Sequence, residues 1–207
     1  IKSHRLKSYG FQPRQRIACR GFLFLSLLMA CSEEKIVEFP DGLEPLEEIS
    51  VDAPIGTSSQ PFPEEINWVS GETDDYGWVH ARGDLHVSPG EAWSKLREPT
   101  VFVDVDKVTE YSVEEIPSPD YDYVYVVSNM VEDIVDVEFD VEWRHGLVDG
   151  DLQSPTLIGV RWQKISGTEF IESLEGSVLI LSVKNESQVT EVQIIEHLSA
   201  LQDQEDN

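Results

Sequence analysis

Cysteine is nearly missing from this sequence: the chain has two, Cys19 and Cys31, and none follows position 31. No disulfide framework and no cysteine metal site can therefore exist in the rest of the chain. Basic residues are scarce as well. There are 15 Lys and Arg against 40 Asp and Glu, and six of the 15 (Lys2, Arg5, Lys7, Arg14, Arg16, Arg20) fall in residues 1–30, which hold no acidic residue. Nine basic residues thus face 40 acidic ones in the remainder, a net charge of −31. A surface this acidic repels phosphate backbones, which argues against nucleic-acid binding. The apolar run Gly21–Ala30 is short; as a helix it would rise ~15 Å, half a hydrocarbon core, too little for a permanent span. No nucleophile elbow, phosphate-cradling loop or zinc signature occurs, and Asp149-Gly150-Asp151 lacks the spacing of a calcium loop. No cofactor and no metal are expected.

Within the N-terminal stretch, basic residues end at Arg20, an apolar run follows, and Ala30 precedes Cys31. That is the physical form of a secretory signal. Leu28-Met29-Ala30-Cys31 resembles the bacterial lipobox. The resemblance implies removal of residues 1–30, acylation of Cys31 and attachment to a bacterial envelope membrane. Ser32, where an Asp would favour inner-membrane retention, favours the outer membrane, facing the periplasm. The alternative is an ordinary signal peptide with an incidental cysteine; Cys19 is a poor rival because no apolar run precedes it.

Residues 31–73 read as a tether. Acidic residues there are interrupted by Pro40, Pro45, Pro54, Pro61 and Pro63, a composition that cannot sustain helix or sheet. Forty-odd such residues reach roughly 35–40 Å as a random chain. Part of the stretch, such as Ile66–Val69, could instead lie against the domain. Residues 74–207 read as that domain, and hydrophobic residues at 40% of the chain suit a folded core. Val79, Ala81, Leu85 and Val87 share one face of a first strand. Ser88-Pro89-Gly90-Glu91 then forms a capping box, with Ala92, Trp93 and Leu96 on the inner side of a short helix stopped by Pro99. Six strand-like runs follow: 108–116, 121–131, 134–145, 157–165, 170–183 and 189–198. Pairing Val131 with Val135 would set Val127 opposite Phe139, Tyr125 opposite Val141 and Tyr123 opposite Trp143.

The order strand, short helix, six antiparallel strands resembles the START-like superfamily, the polyketide cyclase/dehydrase and lipid-transport (SRPBCC) group. The residues that carry it are Ala81, Ser88 to Leu96, Trp143, Arg161-Trp162 and Gly167-Thr168, over about 76–207. The resemblance implies an α+β helix-grip fold: a curved antiparallel sheet of about seven strands, a short helix after the first, and a hydrophobic cavity beneath a long C-terminal helix. Leu198–Gln202 would be only the start of that helix, so it is expected to be truncated or replaced by another covering element. The implied pocket is lined by Tyr123, Tyr125, Phe139, Val141, Trp143, Val160 and Trp162, residues that would equally build a solid core.

The remaining polar candidates have plainer readings. His80, Arg82, Asp84 and His86 share the polar face of the first strand and are expected to face solvent rather than form a metal or acid–base site. The row Asp136, Glu138, Asp140, Glu142 reads as a solvated strand face. His145 and His197 lie near strand ends and are expected at the surface, and Asn185-Glu186-Ser187 is a glycosylation sequon of little weight in a bacterial envelope. The function expected is that of an envelope lipoprotein, held to the membrane through Cys31, whose domain binds a hydrophobic small molecule such as a lipid. The alternatives are a cyclase/dehydrase-type enzyme, which would need His145 or Arg161 inside the cavity, and an acidic scaffold for a basic protein partner that the sequence does not identify.

Overall fold

A computed structural model describes residues 42–104, 106–132 and 136–201. The export segment and Cys31 lie outside the described residues. Eight strands form one antiparallel sheet: β1 (Ile66–Glu72), β2 (Gly77–Leu85), β3 (Glu110–Glu115), β4 (Tyr123–Val131), β5 (Val137–Asp151), β6 (Ser154–Gly167), β7 (Ile171–Val183) and β8 (Glu186–Ala200). Their order is β1-β2-β8-β7-β6-β5-β4-β3. The last strand thus inserts beside β2, while β3 to β8 follow one another as a meander. The connection from β2 to β3 crosses the sheet and carries α1 (Pro89–Leu96) and a 3-10 turn at Pro99–Val101. The architecture is α+β, with one more strand than expected because β1 lies in a stretch read as tether.

The capping box forms as the sequence predicts. Ser88 Oγ accepts the Glu91 amide at 3.3 Å, and Glu91 Oε2 accepts the Ser88 amide at 3.0 Å. Ala92 and Trp93 are buried with Leu96 packed beside them, so α1 lays its apolar side on one face of the sheet, the inner face. Period-two alternation supplies the rest of that face: Tyr125, Val127, Val141, Trp143, Ile158, Val160, Trp162, Val178 and Ile180 make one buried cluster. Trp162 and Trp143 stack with centroids 4.7 Å apart. The Trp162 ring lies directly over Gly176, where an added Cβ would come within 1.8 Å of the indole.

The β4–β5 register differs from the predicted one by two residues. Val131 pairs with Val137, so Tyr125 opposes Trp143, Val127 opposes Val141 and Tyr123 opposes His145. A shift of two leaves each side chain on its predicted face, so the burial pattern alone could not tell the two registers apart. The C-terminal expectation is also corrected: Leu198, Ser199 and Ala200 end β8 and do not begin a helix.

The opposite, outer face is covered by chain that was expected to be tether. Leu43 sits over the paired glycines Gly146 and Gly159, where an added Cβ would meet its side chain at 2.6 and 2.8 Å respectively. The Leu46 amide donates to Ser177 Oγ at 3.1 Å, and Arg161 Nη1 donates to the Glu44 carbonyl at 2.9 Å. Farther along, Val51 and Pro54 are buried, and the Asp52 carbonyl accepts from Asn67 Nδ2 at 3.1 Å. The composition does preclude helix and sheet over 42–64. Four of its backbone groups, the Leu46 and Ser50 amides and the Glu44 and Asp52 carbonyls, are held instead by polar side chains rising from the strands, which makes the segment a cover rather than a tether.

Candidate functional site

On the inner face, a cleft of about 180 Å³ opens over β4 to β8, beside the loop after the 3-10 turn. Phe139, Val141, Trp143 and Trp162 form its floor, and Phe102 packs tilted against Trp143 with ring centroids 4.2 Å apart. Its polar lining includes Asp104, Asn129 and Glu196 and no lysine or arginine. Glu196 projects from β8 with no hydrogen-bond or ion-pair partner among the described residues, and burial pushes its carboxyl above the usual range. The cleft therefore offers stacked aromatic surface together with a carboxyl biased toward its neutral, hydrogen-bond-donating form.

The seven residues expected to line a pocket all lie on this inner face, but they divide. Phe139, Val141, Trp143 and Trp162 line the cleft. Tyr125 and Val160 are fully buried in the adjoining core, and Tyr123 stands at its edge, donating its hydroxyl to Glu115 Oε1 at 3.2 Å. Sequence reasoning missed Glu196, Phe102 and Asn129. The alternation of β8 places Glu196 in line with Val192 and Ile194, a lone carboxylate in an apolar row, and that was the available signal.

His145 is not at the surface. It is fully buried between Tyr123 and Tyr125, with ring centroids 5.7 and 5.5 Å away. Among the described residues neither ring nitrogen has a hydrogen-bond partner, and Tyr125 Oη and Trp93 Nε1 are likewise unpartnered. Burial, assisted by the Arg97 charge, pushes the His145 pKa down to about 3, so the ring is neutral across the physiological range. Burial also raises the Tyr125 phenol. Neither His145 nor Arg161 lines the cleft; Arg161 lies on the outer face, where it holds the Glu44 carbonyl.

The polar row on β2 is solvated only in part: His86, just beyond the strand, is exposed as expected, Arg82 is half-buried, and the other two are buried. His80 is 3% exposed and Asp84 7%. Arg82 pairs with Glu191 at 2.9 Å, and His86 Nε2 lies 2.7 Å from the Phe62 carbonyl. His80 Nε2 is 2.7 Å from Glu47 Oε1, and the same oxygen is 3.2 Å from Nε2 of His197, which is also buried. Behind the rings, the Ser50 amide donates to His80 Nδ1 at 3.1 Å, and Glu175 Oε1 lies 3.8 Å from His197 Nδ1. Tyr76 stacks on His197 at 4.3 Å. Burial raises the Glu47 pKa, but hydrogen bonds and charge from the two histidines outweigh it and leave the carboxyl below its usual range. Sequence reasoning missed this group because Glu47 comes from a segment read as free chain.

No protein-family model matches the chain, and no curated protein matches it significantly. The chain is similar in structure to helix-grip proteins of the START-like group. One is a STAR-related lipid transfer protein fragment from Xanthomonas axonopodis, 11% identical over 68% of this chain and 81% of that one, with a TM-score of 0.45. Another is the Zhui aromatase/cyclase from Streptomyces sp. R1128, 9% identical over 67% and 70%, with a TM-score of 0.39. Norcoclaurine synthase from Thalictrum flavum is 13% identical over 65% and 80%, with a TM-score of 0.34. These are similarities of strand arrangement at low identity; what the cleft and the histidine group can do rests on their own geometry.

Proposed function

We propose that the chain is a bacterial envelope lipoprotein, anchored through Cys31, whose folded domain binds a hydrophobic molecule in the inner-face cleft. The observation that carries the ligand part is the floor of Phe139, Trp143 and Trp162, roofed by Phe102, in a cleft of about 180 Å³. Aromatic walls with a few polar tips are the usual make-up of small-molecule sites. Glu196 adds orientation, since an apolar ligand carrying a hydrogen-bond acceptor or an amine would satisfy its unpartnered carboxyl. The anchor part is supported by the basic stretch, the short apolar run and Leu28-Met29-Ala30-Cys31.

The ligand reading is tested by extracting purified full-length protein with organic solvent and identifying the released molecules by mass spectrometry. A stoichiometric apolar species, released from the wild type and depleted in Phe139→Ala, is the expected result. Consistently empty protein whose Trp fluorescence does not respond to fatty acids or polycyclic aromatics would end this reading. Incorporation of labelled palmitate, lost in Cys31→Ala, tests the anchor separately.

A further inference from the structure

We propose that Glu47, His80 and His197 form a binding site for a divalent cation of the zinc class, which fastens the segment around Glu47 to the outer face of the sheet. The donor atoms lie within 4.8 Å of one another and come from three places distant in sequence: the covering segment, β2 and β8. Two imidazoles and one carboxylate suit a borderline-soft cation, whereas Ca²⁺ and Mg²⁺ select all-oxygen sites.

Both separations from the Glu47 oxygen are close to those around a bound ion, and the two imidazole donors lie within 4.8 Å of each other. Bonds of 2.0–2.2 Å in a tetrahedral site separate ligand atoms by about 3.3 Å. His197 Nε2 already lies 3.2 Å from Glu47 Oε1, while His80 Nε2, at 2.7 Å, would retreat by roughly half an ångström. Both imidazoles are buried and so are already ordered, while the Glu47 side chain remains 45% exposed. The cation would therefore enter from the Glu47 side. Three protein ligands leave one position for water or an outside anion.

The surroundings supply the outer partners that metal-bound histidines need. Glu175 stands behind His197 Nδ1, and Ser50 Oγ lies 2.8 Å from His80 Nδ1. The one adjustment concerns His80. With the Ser50 amide donating to Nδ1, the ring proton sits on Nε2 and points at Glu47. Coordination takes the Nε2 lone pair, so the proton moves to Nδ1 and is accepted by Ser50 Oγ, while the Ser50 amide gives up that contact. The net charge of −31 over residues 31–207 draws cations to the site in any case. Specificity must come from the two imidazoles.

The test is calorimetric titration of Zn²⁺ into the full chain carrying Cys19→Ser and Cys31→Ser, so that no thiol competes. One Zn²⁺ per chain is expected, with a rise in the thermal midpoint that Mg²⁺ does not reproduce. Co²⁺ should give the absorption of a tetrahedral nitrogen and oxygen site. Glu47→Gln and His197→Asn should each abolish stoichiometric binding. Glu47→Gln alters a half-exposed side chain, so retained circular dichroism would show that its loss is not unfolding. Glu175→Gln should weaken binding about 10–100-fold, and Glu48→Gln, at the exposed neighbour, should leave it unchanged. Absence of stoichiometric Zn²⁺ binding overturns the proposal. So does binding that survives both ligand substitutions, or that Mg²⁺ matches, since either is adventitious capture by an acidic surface.

Discussion

On its inner face the sheet buries aromatic and aliphatic side chains against α1, and their fit is one of shape: Trp162 over Gly176, Trp143 on Trp162, Phe102 on Trp143. On its outer face it buries His80, Ser177, Arg161 and His197 under a stretch with no regular structure, and the fit there is one of hydrogen bonds. The first face draws its stability from removing apolar area from water. The second adds polar pairing to the burial of Val51 and Pro54: His80, Ser177 and Arg161 each bond a backbone group of the segment, and His197 bonds the Glu47 carboxylate. The inner face should therefore set global stability, and the outer face should set whether residues 42–64 stay in place.

The largest expected effect breaks the first half of that comparison. Trp162→Ala removes a nearly fully buried indole that bridges Trp143 and Gly176 and should cost about 3–5 kcal/mol of global stability. Urea unfolding followed by circular dichroism measures it, and a loss below 1 kcal/mol (roughly the cost of a surface change) would show that the stacked pair is not central. On the outer face the matching change is Gly159→Val. Its Cβ would stand 2.8 Å from both the Cβ and the carbonyl oxygen of Leu43, so the segment must move. The expected cost is smaller, about 1–3 kcal/mol, with a new protease-sensitive site near residues 42–50. Unfolding of the whole domain without that local sensitivity would mean the two faces form one cooperative unit.

The two faces were also unequally legible in the sequence. Alternation in β5 and β6 marked Phe139, Val141, Trp143, Val160 and Trp162 as sharing a face, and the Ser88 box marked the start of α1, because both signals are local and rest on period and capping. Register was less accessible: pairing Val131 with 135 or 137 gives the same faces, and only the length of the turn separates them. The histidine group was not legible at all. Glu47 and His197 are 150 residues apart, and hydrogen-bonded burial of His80 depends on a partner with no periodicity of its own. The nearest clue was the opposed pair Gly146 and Gly159, since side-chain-free positions at the centre of two paired strands mark a close approach by other chain.

Buried histidines bring the comparison to a single residue type, with an effect that is absent near neutral pH and develops only as pH falls. His80 and His197 share the Glu47 carboxylate, whereas both nitrogens of His145 face an apolar, unpartnered setting. Burial lowers the His145 pKa from 6.5 to about 3, so between those values the unfolded chain binds a proton that the folded chain refuses. The stability contributed by a neutral His145 is fully present above its unfolded pKa and falls as pH drops through that window, by up to about 1.4 kcal/mol per pH unit. The pKa of Glu196, raised by burial, acts in the opposite direction, but it does so in any variant that keeps Glu196 and cancels in a difference. His145→Phe keeps a ring between Tyr123 and Tyr125 and cannot titrate. Its stability relative to wild type should therefore improve steadily between pH 6 and pH 4, as read from urea midpoints at each pH. If the wild-type and variant curves run parallel across that range, His145 reaches water or a partner in solution, and the inner face is wetter at its β4–β5 edge than its packing implies.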